Sequence, residues 1–343
     1  MTTETSRPLA VRAAAPTTPV LPPATLGLTW RPMTVADVPA LAQLRAAVEE
    51  ADAAPFRTSP AEVAEGFDGA WKDHRRDTLA GLDGDGVLRA SAQVSTNPGD
   101  VGTLRVFLDG AVHPAVRGRG VGRALVAWMD GRARQLLAGS GKELPARILT
   151  YLEDTDEGAK ALYSRAGFAP ARHYVSMRRP LSGPLPEARP VEGVRVVPWT
   201  DELDDRVRRA HNDAFADHWG SEPYTAEAWA LHVATFAPTW SRVALDEASG
   251  EVAGYLVSSR YEHDWPVTGY TYGYASLLGV RRAWRGRGVA VALLASAMAA
   301  YRADGMQHAR LDVDTANPSG AHGLYGALGF EVQHGSVMYA IEV

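Results

Sequence analysis

Cysteine is absent from the sequence. Disulfides and thiolate metal sites are therefore excluded. A covalent acyl-cysteine intermediate is excluded with them, so any acyl transfer goes directly to its acceptor or through another nucleophile. An excess of positive charge is also absent. Lys and Arg total 35 against 40 Asp and Glu, a formal net charge of −5. Nucleic acid and anionic membranes demand a basic surface, so neither is an expected partner. No uninterrupted apolar run reaches the roughly 18 residues of a membrane span. The first residues, Met1 to about Thr25, have no continuous apolar core of a signal peptide. Pro8, Pro16, Pro19, Pro22 and Pro23 interrupt them. Residues 1–26 are expected to be a disordered tail and the location to be cytoplasmic. Ten histidines are scattered without an H-E-x-x-H or other clustered ligand spacing, so no metal is expected.

What is present is a duplication. Arg117-Gly118-Arg119-Gly120-Val121-Gly122 is matched by Arg285-Gly286-Arg287-Gly288-Val289-Ala290. Each copy follows a short apolar run, ending in Val112 or Val280, and each opens a helical pattern. Each is followed by Leu-Tyr, then Gly-Phe: Leu162, Tyr163, Gly167 and Phe168, and again Leu324, Tyr325, Gly329 and Phe330. Around these anchors the order β-α-α-β-β-β-α-β-α-β is read twice, with a period of about 165 residues, a repeat of whole domains. Prolines 180, 184, 186 and 190 mark a linker. The expected organisation is a tail at 1–26, a domain at 27–180, a linker at 181–193 and a second domain at 194–343.

A strand, a glycine-rich turn and a helix start make an anion cradle. Small residues admit a ligand to the backbone N–H groups, and the helix N-terminus adds partial positive charge. A P-loop would need Gly-Lys-Ser/Thr, which does not occur. The dinucleotide fingerprint needs a third glycine at another spacing, which the second copy lacks.

On these residues the chain resembles the GCN5-related N-acetyltransferases (GNAT), in tandem. The family's signature Gln/Arg-x-x-Gly-x-Gly/Ala is met by Arg117, Gly120 and Gly122 and by Arg285, Gly288 and Ala290. The resemblance implies an α/β fold of two domains. Each would hold a mostly antiparallel sheet of six or seven strands flanked by helices, with the fourth and fifth strands splayed. It implies acetyl-CoA as cofactor. The pyrophosphate would lie on residues 117–122 and 285–290, and pantetheine against the backbone of Leu278 and Val280, and by analogy Ala111 and Val112. It implies that a Tyr on the helix after the fifth strand protonates the departing thiolate, a position held by Tyr325 and Tyr163. Asn317 matches a CoA contact, whereas the first half has Thr155 among Glu153, Asp154, Asp156 and Glu157. Acid beside a phosphorylated cofactor is unfavourable, so the second domain is expected to be the catalytic one.

One departure from the family is visible. Many members carry a Glu base on the strand before the motif, but 270–276 here holds no acid, and Tyr274 stands near that place. A water relay or a loop acid, Asp264, Glu262 or Asp217, would then deprotonate the amine. Two aromatic and acidic clusters, Asp217-His218-Trp219 and Tyr261-Glu262-His263-Asp264-Trp265, suit an amine acceptor through carboxylates and cation–π contacts. The expected activity is acetyl transfer to the primary amine of a small molecule by a monomer or homodimer. The alternatives are a non-catalytic acyl-CoA-binding regulator and a peptide N-acetyltransferase.

Overall fold

The computed structural model describes residues 7–187, 190–231, 233–316 and 321–343. It divides into two compact units, residues 1–172 with 336–343, and residues 173–335. No helix among the described residues is long and apolar enough to cross a membrane.

In the first unit, the helix α1 (Leu9–Arg12) precedes the strand β1 (Thr29–Arg31), the helices α2 (Val38–Ala51), α3 (Pro60–Glu65) and α4 (His74–Asp77), and the strands β2 (Thr78–Leu82), β3 (Leu88–Thr96) and β4 (Leu104–Val112). Then follow α5 (Val121–Ala138), β5 (Ala146–Glu153) and α6 (Glu157–Arg165). β1 to β4 pair in order and antiparallel, β4 and β5 pair parallel, and residues 336–342 close the sheet antiparallel to β5. α5 is amphipathic: Val121, Leu125, Met129, Ala133 and Leu137 recur at helical spacing and are buried against one face of the sheet. Leu41 and Leu44 of α2 and Val63 of α3 cover the other face.

The second unit repeats the plan. β6 (Ala169–Pro180) is followed by β7 (Val194–Pro198), α7 (Asp204–Ala214), α8 (Ala226–Trp229), β8 (Arg242–Asp246), β9 (Val252–Ser259), α9 (Trp265–Thr268) and β10 (Tyr272–Val280). α10 (Val289–Ala303), β11 (His308–Asp314), α11 (Ala321–Ala327) and β12 (Glu331–Glu342) complete the chain. β7 to β10 pair antiparallel, β10 and β11 parallel, and residues 174–180 of β6 run antiparallel to β11. α10 buries Val289, Leu293, Ala297 and Tyr301 on one face, and α7 places Val207 and Ala210 on the other. Tyr301 lies flat on β10, and a Cβ on Gly273 would come within 2.4 Å of its ring, so only glycine fits there.

Two features differ from the sequence expectation. Contiguous halves would keep residues 174–178 with the first sheet and 337–341 with the second. The pairing exchanges them: β6 joins β11, and β12 joins β5. Strand periodicity specifies which face is buried but not which strand is the neighbour. The tail expected to be disordered is packed from Arg7 onward. Leu9 is 1% exposed and its N–H donates to Glu143 at 2.8 Å. Arg12 donates to the Leu144 carbonyl at 2.8 Å, and Gln135 of α5 donates to the carbonyls of Pro16 and Thr17. Prolines lose little entropy on ordering, and Gly131 of α5 leaves room for Pro16 and Pro19 beside the helix.

Candidate active site

The parallel ladder between β10 and β11 is short. It runs from Tyr272↔His308 to Ala275↔Leu311 and stops, although β10 continues to Val280 and β11 to Asp314. β4 and β5 behave alike: pairing ends at Phe107↔Leu149 while β4 continues through Ala111 to Val112. Each sheet therefore splays between its fourth and fifth strands. Peptide groups on the facing edges lack the strand partner that would satisfy them, and an amide-bearing ligand can supply it. Leu278 and Val280, and Ala111 and Val112, lie on these open edges.

Both turns that follow place glycines in the left-handed region. Gly286 and Gly288 have φ of 74° and 88°, Gly118 and Gly120 of 75° and 93°. Gly288 and Gly120 are the N-caps of α10 and α5, and no side chain caps either helix. The first-turn N–H groups of Val289 and Ala290, and of Val121 and Gly122, point out of the helix start as an anion site. The open strand edge and the uncapped helix together fit a ligand that carries both amides and a diphosphate. The leading arginines act differently from a phosphate clamp. Arg285 donates to the Val280 carbonyl at 3.0 Å and to the Ala214 carbonyl at 2.6 Å, tying the turn to β10 and the end of α7. Arg117 reaches the Val112 carbonyl and grips Asp52 with both terminal nitrogens at 2.5 and 2.8 Å. Arg287 donates to the Glu192 carbonyl at 3.0 Å, while Arg119 is exposed. Asn317 lies outside the described residues.

The units part company at three places. β10 carries a β-bulge: its register against β9 shifts by one between Ala275 and Leu277, at Ser276. β4 against β3 keeps one register from Ala90↔Val112 to Thr96↔Val106. Bulges re-aim backbone and side chains and recur beside active sites. The Ser276 hydroxyl meets that of Ser259 at 2.6 Å. The second difference lies in the tyrosines. Tyr163 and Tyr325 are 6% and 9% exposed, and burial raises each phenol to a pKa of about 12. Tyr163 is hydrogen-bonded to Thr150. The Tyr325 hydroxyl has no hydrogen-bond partner among the described residues, and its ring stands edge-on to Phe330 at 6.1 Å. The third is on the side of the sheet that faces α2 or α7. There an Arg45–Asp109 ion pair joins α2 to the splayed stretch of β4, whereas β10 presents Leu277 beneath α7.

The acceptor clusters are tied locally. Asp217 is paired with Arg282, and the His218 ring nitrogen lies 3.0 Å from the Trp219 carbonyl oxygen. Glu262 pairs with Arg260 at 2.7 Å. Asp264 is 4% exposed and accepts a hydrogen bond from the Tyr272 hydroxyl. The Tyr274 ring stands edge-on to Tyr261 at 5.4 Å, and its hydroxyl donates to Asp312 of β11. Burial, with the Asp312 charge second, raises the Tyr274 phenol well above its usual range, so Tyr274 holds its proton and is no base. Asp312 and the neighbouring Arg310 were missed from the sequence. Their signal is the alternation Arg310-Leu311-Asp312-Val313-Asp314, which puts three charges on one face of β11 and two apolar residues in the core.

Residues 205–330 match the Acetyltransferase (GNAT) family, and residues 80–170 match an Acetyltransferase (GNAT) domain. The chain is similar to the mycothiol acetyltransferase of Mycolicibacterium vanbaalenii, 32% identical over 289 residues that cover 76% of this chain and 87% of the relative. It is similar to that of Frankia alni at 30% identity, over 92% of this chain and 95% of the relative. A solved GCN5-related N-acetyltransferase from Sphaerobacter thermophilus is 29% identical, covers 94% of this chain and 97% of its own, and superposes with a TM-score of 0.69. With the splay, the uncapped glycine turn and the buried tyrosine each present twice, the chain belongs to the GNAT acetyltransferase family, whose acyl donor is acetyl-CoA, and is a tandem member of it.

Proposed function

We propose that the second unit transfers an acetyl group from acetyl-CoA directly to the primary amine of a small molecule. The observation that carries this reading is the asymmetry of the two units: the bulge at Ser276 and the unengaged Tyr325 hydroxyl occur together, in the second unit alone. The relatives' name, mycothiol acetyltransferase, supports a small-molecule acceptor.

Bound acetyl-CoA supplies an activated acetyl thioester. The chain's residues do the rest. The β10 edge from Ser276 to Val280 offers backbone groups that orient the donor. The α10 N-terminus holds the diphosphate by N–H groups and dipole. Arg285 keeps that turn in place. Tyr325 is protonated throughout the neutral range and stands on the α10–α11 side of the sheet, so it can give its proton to the departing thiolate. The absence of cysteine supports direct transfer, with acceptor and donor bound together. In the first unit Tyr163 is occupied by Thr150, and Arg45–Asp109 stands over the opposite face, so we assign that unit no turnover.

A thiol-release assay with acetyl-CoA across a panel of small amines tests the reading. Release dependent on an amine, with acetylated amine formed in equal amount, is expected. Release without product, or none with any amine, overturns it.

A further inference from the structure

With the family's usual strand acid replaced by Tyr274, the site described so far has an acid for the thiolate but nothing to deprotonate the amine. We propose that Asp312 is the catalytic base of the second unit and that Tyr274 is the residue that positions it. This rests on the assignment of transfer to that unit.

The argument begins with place. Ala275↔Leu311 is the last rung of the parallel ladder, so Asp312 is the first β11 residue beside the splay. Leu311 and Val313 are buried in the α10 core, 2% and 5% exposed, so the Asp312 side chain projects from the other face, where it is exposed. Tyr325 belongs to that α10 core. A carboxylate and a phenol thus flank the open splay from opposite faces of one sheet. An amine attacking the thioester from the first face expels the thiolate toward the second.

The surroundings suit the role. The Tyr274 side chain is hydrogen-bonded to Asp312, which orients the carboxylate. Tyr261 packs on Tyr274 and gives an ammonium an aromatic neighbour. Two residues back along β11, Arg310 is 6% exposed, lies over the Tyr272 ring at 4.6 Å, and donates to Ser176 at 3.2 Å. It also reaches the His334 ring at 3.0 Å, and its Nε has no partner among the described residues. Other acids of this region are occupied. Asp264 is buried on Tyr272, Glu262 pairs with Arg260, and Asp314 is 6% exposed and accepts from the Ala316 N–H at 2.9 Å.

The step balances as follows. The ammonium gives one proton to the Asp312 carboxylate. Its nitrogen lone pair then forms the C–N bond at the thioester carbonyl, and the C–S bond breaks with its electron pair on sulfur. Tyr325 protonates the sulfur. The second proton lost from nitrogen restores Tyr325, and Asp312 releases the first to water. The products are the acetamide, free thiol and one proton.

The test compares acceptors of different basicity. It uses an alkylamine that the enzyme acetylates and its fluorinated analogue, which is largely unprotonated at neutral pH. Asp312→Asn is expected to lower kcat with the alkylamine by about 10²- to 10³-fold, to spare the analogue, and to leave the KM for acetyl-CoA unchanged. Tyr274→Phe removes the hydrogen bond that orients the carboxylate, so kcat with the alkylamine is expected to fall, less than in Asp312→Asn, while the analogue and the KM for acetyl-CoA are spared. An equal loss with both amines or no loss with either in Asp312→Asn, or an equal loss with both amines in Tyr274→Phe, overturns the proposal while leaving the assignment of transfer standing. A wild-type enzyme that acetylates no amine overturns both.

Discussion

Replacing Tyr325 by Phe, with Tyr163→Phe beside it, separates chemistry from packing in one experiment. The Tyr325 hydroxyl is not engaged by any described residue, so its removal breaks no hydrogen bond seen in the fold. The ring keeps its edge contact with Phe330. The folding free energy should therefore change by less than about 1 kcal/mol, and acetyl-CoA affinity should hold. Turnover should not. General-acid catalysis contributes about 10²- to 10⁴-fold, so kcat should fall by that factor, about 2.7 to 5.5 kcal/mol on the barrier. Tyr163→Phe should show the reverse. It leaves the Thr150 hydroxyl, 6% exposed, without its partner, at a cost of about 1–3 kcal/mol in stability, and leaves kcat unchanged. Wild-type kcat should also show no basic limb from Tyr325 at neutral or mildly alkaline pH, because burial raises that phenol to about 12. The measurements are thiol release, donor titration calorimetry and urea unfolding. Full kcat in Tyr325→Phe, or loss of turnover in Tyr163→Phe, would refute the reasoning.

Three further outcomes follow from the same geometry. Gly288→Ala places a side chain at φ 88°, a strain of about 1–2 kcal/mol; calorimetry should show weaker acetyl-CoA binding, and unchanged affinity would mean the turn is not the cradle. Arg285→Ala frees the carbonyls of Val280 and Ala214 and should lower stability by about 1–3 kcal/mol in urea unfolding; Lys in its place should not restore it, since it cannot span both carbonyls as the guanidinium does. His211 is 3% exposed with Nδ1 2.5 Å from the Tyr255 hydroxyl, and burial lowers its pKa to about 4. The unfolded chain takes up that proton near pH 6.5 and the folded one does not, so stability present above 6.5 is lost as pH falls toward 4, by up to about 3 kcal/mol. His211→Gln should flatten that slope in urea midpoints taken between pH 7 and 4.5, and an equal slope in both proteins would refute the buried-neutral assignment.

What the sequence made legible was local. The glycine turns could be read because only glycine takes left-handed φ without strain, and their repetition exposed the duplication. The helix that each turn opens was readable from the pattern that follows it. Asp264 and Glu262 looked catalytic by composition, yet one is buried on a tyrosine and the other paired with an arginine. Asp312 looked like an ordinary strand acid. Its prominence comes from where the β10–β11 ladder stops, which is a property of two strands together. The packed segment after Arg7 was hidden for a similar reason: proline-rich composition signals a lack of helix or sheet, but not whether a glycine on a distant helix leaves a surface for it.

The exchange of β6 and β12 has a consequence for synthesis. β5 is complete at Glu153, but the β12 residues that cover its edge begin at Ser336, roughly 180 residues later. At about 5–20 residues per second on the ribosome, that edge waits on the order of 10 to 35 s. Throughout that interval β5, with Ile148 and Leu149 among its buried residues, has one unpaired edge, open to a wrong strand from the same or a neighbouring nascent chain. The residues of the second unit end at Gly335. The half read as catalytic can therefore close its sheet first, and the half that starts first finishes last.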